Sequence, residues 1–227
     1  MALNKQSGDM YGFVSHTWNA IKGKCLHDCC YCYMKRFPQK DLWFDEKELK
    51  TNLGTGNFIF VGSSTDMFAK NVPNDWVKRV LTHCELSKGN TFLFQSKDTG
   101  RLLEFQNEFQ RICIQNKVVI GTTIETNREI PTSKAPSPQK RIEAMQWFSD
   151  LRKMITIEPI FDFDLDNLVH MIKLADPEWV NIGADSNRGQ KSYSFPEPSK
   201  EKVLKLAEEL KKFTEVKNKR NLDRLIK

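Results

Sequence analysis

The sequence predicts an α/β fold in which about six strand–helix units curl into a partial (β/α)6, TIM-like barrel. Short apolar runs alternate with amphipathic stretches along most of the chain. The apolar runs are continuous, which is typical of parallel strands buried on both faces. Right-handed crossovers between such strands can curl the sheet into an open barrel. A flat, doubly wound sheet produces a similar pattern, so this alternative stays open.

Five strand–helix pairs are predicted at residues 57–62 and 74–86, 91–95 and 101–110, 117–124 and 138–150, 154–160 and 165–174, and 179–183 and 200–214. Each strand is a short apolar run, and each helix repeats its apolar residues at helical spacing. Asn74, Ser137 and Ser199 are the candidate N-caps, and Pro138 suits the first position of its helix. A sixth pair precedes these, with a strand within residues 13–21 and a helix at 45–53.

The composition is that of one globular domain, with 227 residues, 39% hydrophobic and 28% charged. We expect residues 1–227 to form a single core domain, with a cysteine-rich loop near residues 22–36. The N-terminus MALNKQSGDM is polar and lacks the apolar run of a signal peptide. No apolar stretch approaches the roughly 18 residues needed to cross a bilayer. We therefore expect a cytoplasmic protein without a membrane partner.

The net charge is +6, and much of the excess lies in the C-terminal residues 199–227, which are predicted as a basic helix. Lysine and arginine alternate there with glutamate at helical spacing. The first interpretation is a solvated helix face. The second is a nucleic-acid-binding surface.

Four of the six cysteines lie within eight residues, in the segment CLHDCCYC. Without a secretion signal, such a group favours a metal site over disulfides. Cys25, Cys29 and Cys32 have the spacing C-x3-C-x2-C, and thiolates are the ligands of iron–sulfur clusters. Three ligands for four irons leave one iron open, where a substrate or cofactor can coordinate.

Structural zinc is the alternative, with Cys30 or His27 as the fourth ligand. Adjacent cysteines chelate one ion awkwardly, and the loop precedes a barrel pattern. This alternative corresponds to a non-catalytic zinc- or iron-binding nucleic-acid module. Cys84 and Cys113 are interpreted as core thiols.

Polar clusters follow the five strands, at residues 63–66, 96–98, 122–125, 158 and 185–187. The carboxyl ends of parallel strands meet at one edge, where α/β enzymes place their active sites. A polar residue at a strand end is often only a cap or turn former. Five clusters in register favour a binding site.

The motif CLHDCCYC, with aromatic Tyr31 before its last cysteine, resembles that of the radical SAM superfamily. Within it, the chain is similar to the spore-photoproduct-lyase-like branch, and more so to an uncharacterised, phage-associated group of short radical SAM proteins. The resemblance runs from about Thr17 to Asn187. The segments that carry it are TWNAIKGKCLHDCCYCYMKRF, FVGSSTDMF, QSKDTGRLLEF, GTTIETN, TIEPIFD and WVNIGADSN.

The resemblance implies a 4Fe–4S cluster held by Cys25, Cys29 and Cys32, and S-adenosylmethionine bound at the open iron. Reductive cleavage of that cofactor would supply a 5′-deoxyadenosyl radical for hydrogen abstraction, with a flavodoxin or ferredoxin as reductant. The resemblance also implies cofactor-binding residues: Tyr31 and Tyr33 beside the adenine, Ser64, Thr65 and Asp66 at the methionine amino group, Lys97 at its carboxylate, Thr123 and Glu125 at the ribose or carboxylate, and Glu158 and Asp185 at cofactor or substrate.

One position departs from the lyase branch. Ser63 stands where spore photoproduct lyase has the cysteine that returns hydrogen to the product radical, and a serine O–H bond is too strong for that step. Photoproduct repair is therefore not expected. A nucleic acid or nucleotide is the first substrate hypothesis, and a peptide or small metabolite is the second.

Overall fold

The computed structural model describes residues 3–6, 10–130, 133–186 and 195–227. Asn187, in the last predicted polar cluster, lies outside them. The strands are β1 (Asn4–Lys5), β2 (His16–Trp18), β3 (Ile21–Lys22), β4 (Trp43–Phe44), β5 (Phe58–Val61), β6 (Thr91–Gln95), β7 (Lys117–Thr123), β8 (Arg152–Ile157), β9 (Trp179–Ile182) and β10 (Glu215–Asn218). The α-helices are α1 (Asn74–Leu86), α2 (Thr99–Leu103), α3 (Gln106–Cys113), α4 (Pro138–Met145), α5 (Leu165–Ala175), α6 (Lys200–Lys211) and α7 (Asp223–Ile226).

The main sheet has the strand order β1-β2-β5-β6-β7-β8-β9-β10. β1 is antiparallel to β2, and every other neighbouring pair is parallel. β3 and β4 form a separate antiparallel pair. The parallel strands therefore follow chain order, as expected when each is joined to the next by a crossover helix.

The sheet is curved, as the packing on its two faces shows. Inward-facing side chains from five neighbouring strands form one cluster, made of Phe60, Leu93, Val119, Met154 and Trp179. The segment before β2 fills its base, where Phe13 stacks on Tyr11 at 5.4 Å between ring centroids and meets Trp179 edge-on at 5.2 Å. The opposite face packs in the large core that holds the buried helix residues. The fold is therefore the predicted α/β partial barrel rather than a flat sheet with helices on both sides.

Two of the predicted caps are confirmed. Ser137 accepts a hydrogen bond from the amide of Lys140, and Ser199 accepts one from the amide of Lys202. The third is wrong, because Pro73 occupies the cap position of α1. The amide oxygen of Asn74 instead accepts from the Arg101 guanidinium at 2.7 Å.

Four helix predictions are wrong in extent, including the one at 200–214, which ends at Lys211. Residues 45–53 contain only the 3₁₀ helix Glu46–Lys50, capped by Asp45. Residues 101–110 fall in two helices, α2 and α3, which meet at Phe105. Phe105 is buried and lies 5.7 Å from the Phe68 ring, so the change of helix axis buries an aromatic side chain. The helix predicted at 138–150 ends at Met145.

The C-terminal stretch is not one basic helix. α6 ends at Lys211, and β10 then pairs in parallel with β9. Lys217 on β10 lies over the Trp179 ring, 4.6 Å from its centroid, so the lysine covers the open end of the aromatic cluster. The charged residues that suggested a helix face thus belong partly to an edge strand. No helix within the described ranges has the length and apolar character to cross a bilayer.

Candidate active site

A cavity of about 490 Å³ lies at the carboxyl ends of the parallel strands, a size typical of small-molecule sites. The three motif cysteines Cys25, Cys29 and Cys32 all line it. Nine of the predicted cofactor-binding residues line it as well: Tyr31, Tyr33, Ser64, Thr65, Asp66, Lys97, Thr123, Glu158 and Asp185. The remaining one, Glu125, is fully buried and lies behind this lining.

The cysteine-rich loop packs firmly against the barrel. Cys29 and Tyr31 form a small apolar cluster with Ile130 and Phe161, and the Tyr31 and Phe161 rings meet edge-on at 5.5 Å. The Cys29 sulfur lies 3.2 Å from the hydroxyl of Ser133. The loop is therefore held in place by packing and polar contacts with residues that follow β7 and β8.

Of the three motif cysteines, Cys29 is buried, and Cys25 and Cys32 are partly buried. Burial, with the nearby Asp66 carboxylate, raises the pKa of Cys25 to about 12, and burial also raises the pKa of Cys32. The six cysteines, all in the described part of the chain, form no disulfide. Cys84 is a core thiol as predicted, whereas Cys113 is exposed, because it ends α3 beyond the buried face of Phe109 and Ile112.

Asp66 and Thr65 join the loop to the strand ends. Asp66 Oδ2 accepts from the Ser96 hydroxyl and from the backbone amide of Lys97, each at 2.9 Å, and it also meets His27 of the loop. The Thr65 hydroxyl donates to the carbonyl of Gly23 at 2.8 Å. The hydrogen bonds of both side chains are therefore made to other groups of the protein.

The serines beyond β5 are held by Asn19. Gly62 has a φ of +77°, which turns the chain sharply after the strand. The amide oxygen of Asn19 accepts from the Ser64 backbone at 3.0 Å, and its nitrogen donates to the Ser63 hydroxyl at 3.2 Å. The Tyr33 hydroxyl donates to the Ser63 carbonyl at 2.9 Å. This side of the cavity is thus a fixed turn.

Glu125 was expected to face the cofactor, but it forms a buried ion pair with Arg141, 2.8 Å between Oε2 and Nη1. Burial raises the pKa of the Glu125 carboxyl, but Arg141 and Lys97 outweigh it, so the pKa lies below its ordinary value. Lys97 Nζ lies 3.8 Å from Glu125 Oε1, and Lys97 also lines the cavity. The Glu125 carboxylate therefore does not line the cavity itself but pairs with Lys97, which does.

Glu158 meets a lysine that the sequence did not indicate. Lys219, just beyond β10, has its Nζ 2.5 Å from Glu158 Oε2, and Asn221 donates to Oε1 at 2.7 Å. Lys219 also lies over the Tyr11 ring, 5.0 Å from its centroid. Asp185 is buried, and its carbonyl accepts from Arg224 at 3.0 Å.

Further lining residues were missed from the sequence: Tyr11, Gln95, Thr156 and Lys219. The Tyr11 hydroxyl donates to Gln95 at 2.9 Å, and Gln95 donates to the Thr123 hydroxyl at 3.1 Å. Strand periodicity could have found two of them. Gln95 and Thr156 follow the inward-facing Leu93 and Met154 by two residues, so they point to the same interior.

The donor set fits an iron–sulfur cluster, because three thiols line one cavity and thiolates are the required ligands. In the ranges that the structure covers, no three His, Cys, Asp or Glu side chains are grouped to hold a single metal ion. A cubane cluster is held differently, since each thiolate binds its own iron. Cys30, a possible fourth zinc ligand, packs against the apolar cluster of the loop.

The partial TIM-like α/β barrel is similar to the fold of spore photoproduct lyase. A mutant of that enzyme with bound AdoMet and dinucleoside spore photoproduct has a TM-score of 0.63 and 8% identity, over 99% of this chain and 78% of that chain. The enzyme complexed with dinucleoside spore photoproduct has a TM-score of 0.59 and 9% identity, over 97% and 76%. The chain belongs to the family described as "Protein of unknown function (DUF5131)", which matches residues 10–197. No curated protein matches this sequence.

Proposed function

We propose that this protein is a cytoplasmic radical SAM enzyme that binds a 4Fe–4S cluster through Cys25, Cys29 and Cys32 and reductively cleaves S-adenosylmethionine. The observation that carries the proposal is that all three cysteines line the cavity at the carboxyl ends of the barrel strands. When bound, the cluster and S-adenosylmethionine supply a 5′-deoxyadenosyl radical for hydrogen abstraction from a substrate. A reduced flavodoxin or ferredoxin is the proposed electron donor.

The residues of the cavity suit distinct parts of the cofactor. Lys97 presents an ammonium group to the cavity and suits the methionine carboxylate. Tyr33 is partly exposed at the mouth and suits the adenine ring. Thr123 offers a hydroxyl for the ribose. Because the hydrogen bonds of Thr65 and Asp66 go to the loop and the strand ends, we assign them to positioning the loop.

A nucleic acid or nucleotide is the proposed substrate class. Spore photoproduct lyase, which has a similar fold, has a structure with bound dinucleoside spore photoproduct, and this chain carries a net charge of +6. Lys24, Lys35 and Arg36 are exposed side chains that line the cavity, so they suit a phosphate backbone. Photoproduct repair itself is not proposed, since the resemblance implies that Ser63 stands at the position of the hydrogen-donating cysteine.

The decisive experiment is anaerobic reconstitution with iron and sulfide, reduction with dithionite, and addition of S-adenosylmethionine. We expect about four irons per chain and release of 5′-deoxyadenosine, measured by chromatography. Cys29→Ala is expected to lose both. Cys30→Ala is the matched control and should keep both. A protein that instead holds zinc, and loses it on the Cys30 change, would be the non-catalytic metal module.

Substrate class is tested by binding to single-stranded and duplex oligonucleotides at several salt concentrations. We expect affinity to fall steeply as salt rises, because basic side chains displace counterions from phosphates. Charge reversal of Lys35 should flatten this dependence, whereas reversal of a lysine far from the cavity, Lys173 on α5, should not. Binding that ignores salt would remove the nucleic acid from consideration and leave a peptide or metabolite.

A further inference from the structure

Glu125, Arg141 and Tyr31 form a buried polar group whose purpose the proposed chemistry leaves open. Glu125 is fully buried, Arg141 is 1% exposed and Tyr31 is 6% exposed. A buried ion pair is a weak source of stability, because desolvation of both charges offsets their attraction. The Glu125–Arg141 pair is therefore better explained by the neighbouring groups that it positions than by a contribution to stability.

The group joins three separate segments. Tyr31 lies in the loop between Cys29 and Cys32, Glu125 follows β7, and Arg141 lies on α4. The Tyr31 hydroxyl donates to Glu125 Oε1. A phenolic hydroxyl has one proton to donate and an ionised carboxylate only accepts, which fixes the direction of this hydrogen bond.

Arg141 makes this acceptor rigid. Besides Glu125, its guanidinium donates to the carbonyl of Thr123 at 2.8 Å and to the carbonyl of Pro136 at 2.7 Å. A planar guanidinium with several fixed acceptors has little freedom to move. The carboxylate that receives the Tyr31 hydroxyl is therefore anchored to the end of a barrel strand.

Lys97 is placed by the same carboxylate. Its ammonium lies 3.8 Å from Glu125 Oε1 and 5.5 Å from the centre of the Tyr31 ring. Because Glu125 and Arg141 neutralise each other, Lys97 presents the net positive charge of this group to the cavity. One buried carboxylate thus connects the loop to the cation expected to meet the cofactor.

We propose that Glu125 and Arg141 are positioning residues that clamp the Tyr31 hydroxyl and thereby fix the segment from Cys29 to Cys32 in its cluster-binding conformation. The purpose of this clamp rests on the proposed function, whereas the clamp itself is a property of the chain without cofactor. It can therefore be tested separately.

The first test measures alkylation of each cysteine by iodoacetamide in the cofactor-free protein, followed by mass spectrometry at fixed pH. In Tyr31→Phe we expect Cys29 to react about tenfold faster, since one hydrogen bond to a charged group no longer restrains the loop. Exposed Cys113 serves as the rate reference, and buried Cys84 reports global opening. Unchanged protection of Cys29 would overturn the clamp.

A matched control removes a similar hydrogen bond elsewhere. The Thr51 hydroxyl donates to the carboxylate of Glu48 at 3.1 Å, and that carboxylate is also paired with Lys22. Thr51→Val should leave the Cys29 rate unchanged. Glu125→Gln is a second variant and should also speed the alkylation of Cys29. If it exposes Cys84 as well, Tyr31→Phe decides, because that variant keeps the Arg141 and Glu125 charges. An equal rise at Cys29 and Cys84 in Tyr31→Phe would overturn the clamp.

The second test uses the reconstituted protein. Tyr31→Phe is expected to keep its iron content but to broaden and shift the electron paramagnetic resonance signal of the reduced cluster. A wild-type protein that holds no cluster would contradict the proposed function, while the alkylation result would still stand. A signal identical to the wild type, with equal iron content, would contradict the clamp.

Discussion

His27 Nε2 and Asp66 Oδ2 lie 2.9 Å apart, which ties the cysteine-rich loop to the residue that follows the turn after β5. The same carboxylate accepts from Ser96 and from the Lys97 amide beyond β6. Its second oxygen accepts from the Phe68 amide at 3.0 Å. Asp66 therefore connects the loop with the ends of two barrel strands.

Asp66→Asn is expected to lower the free energy of unfolding by about 2 to 3 kcal/mol, because hydrogen bonds to a charged group are lost and the new amide nitrogen faces donors. Urea denaturation followed by circular dichroism at pH 7 measures the change. Asp41→Asn, at an exposed position, is the matched control and should change stability by less than about 0.5 kcal/mol. Equal effects at the two positions would show that Asp66 holds nothing together.

The stability difference between wild type and Asp66→Asn should depend on pH. Burial raises the Asp66 pKa, but His27 and the other donors outweigh it, so the folded-state pKa lies below its ordinary value. The carboxylate therefore contributes fully above its unfolded pKa of about 3.9 and loses that contribution as the pH falls through the folded value. The free energies of unfolding of wild type and Asp66→Asn, measured from pH 7 to pH 3, should therefore converge as the pH falls. A stability difference that grows as the pH falls would contradict a lowered Asp66 pKa.

Lys219→Met should lower the free energy of unfolding by roughly 2 kcal/mol, because it leaves Glu158 largely buried without its cation. The double variant Lys219→Met with Glu158→Gln should recover about half of this loss. Thermal and urea denaturation of all four proteins complete the double-mutant cycle. Additive losses would show that the two side chains do not interact in solution.

Gly183→Ala should displace the Glu158 carboxylate. An added Cβ at Gly183 would lie 2.8 Å from Glu158 Cδ and 3.0 Å from Asn221 Oδ1. We expect a loss of about 1 to 3 kcal/mol in the wild type, since Glu158 is held in place from the other side. In a Glu158→Ala background the methyl group has room, so the same substitution should cost less. A loss of equal size in both backgrounds would contradict the proposed contact.

Three parallel strands were predicted closely, because a strand buried on both faces is a continuous apolar run. The predicted ranges 57–62, 91–95 and 117–124 agree with β5, β6 and β7 within a residue at each end. The strand predicted at 154–160 lies instead at Arg152–Ile157. β10 was missed because it is an edge strand, EVKN, whose exposed charged residues resemble a solvated helix. Its one lysine, Lys217, is placed by the pairing of β10 with β9, which the local sequence does not encode.

The sequence predicted which strand-end residues line the cavity, but not which side chains they contact. Nine predicted residues line the cavity with the three cysteines, because parallel strands bring their carboxyl ends together. Glu125 was assigned to the cavity because it also follows a strand. Its partner Arg141 lies sixteen residues further on, on the inner face of α4, and only the packed structure shows that the two meet.

The chain-order arrangement of the main sheet bears on how the molecule is assembled. Each strand from β6 to β10 pairs with the strand that precedes it along the chain, so the wall can grow one strand–helix unit at a time. Lys219 directly follows β10, the last strand, so Glu158 gains its ion pair only when β10 has docked on the sheet. A chain lacking β10 would expose the apolar strand β9 as a sheet edge. We therefore expect incompletely assembled molecules, rather than finished ones, to be the species prone to aggregation.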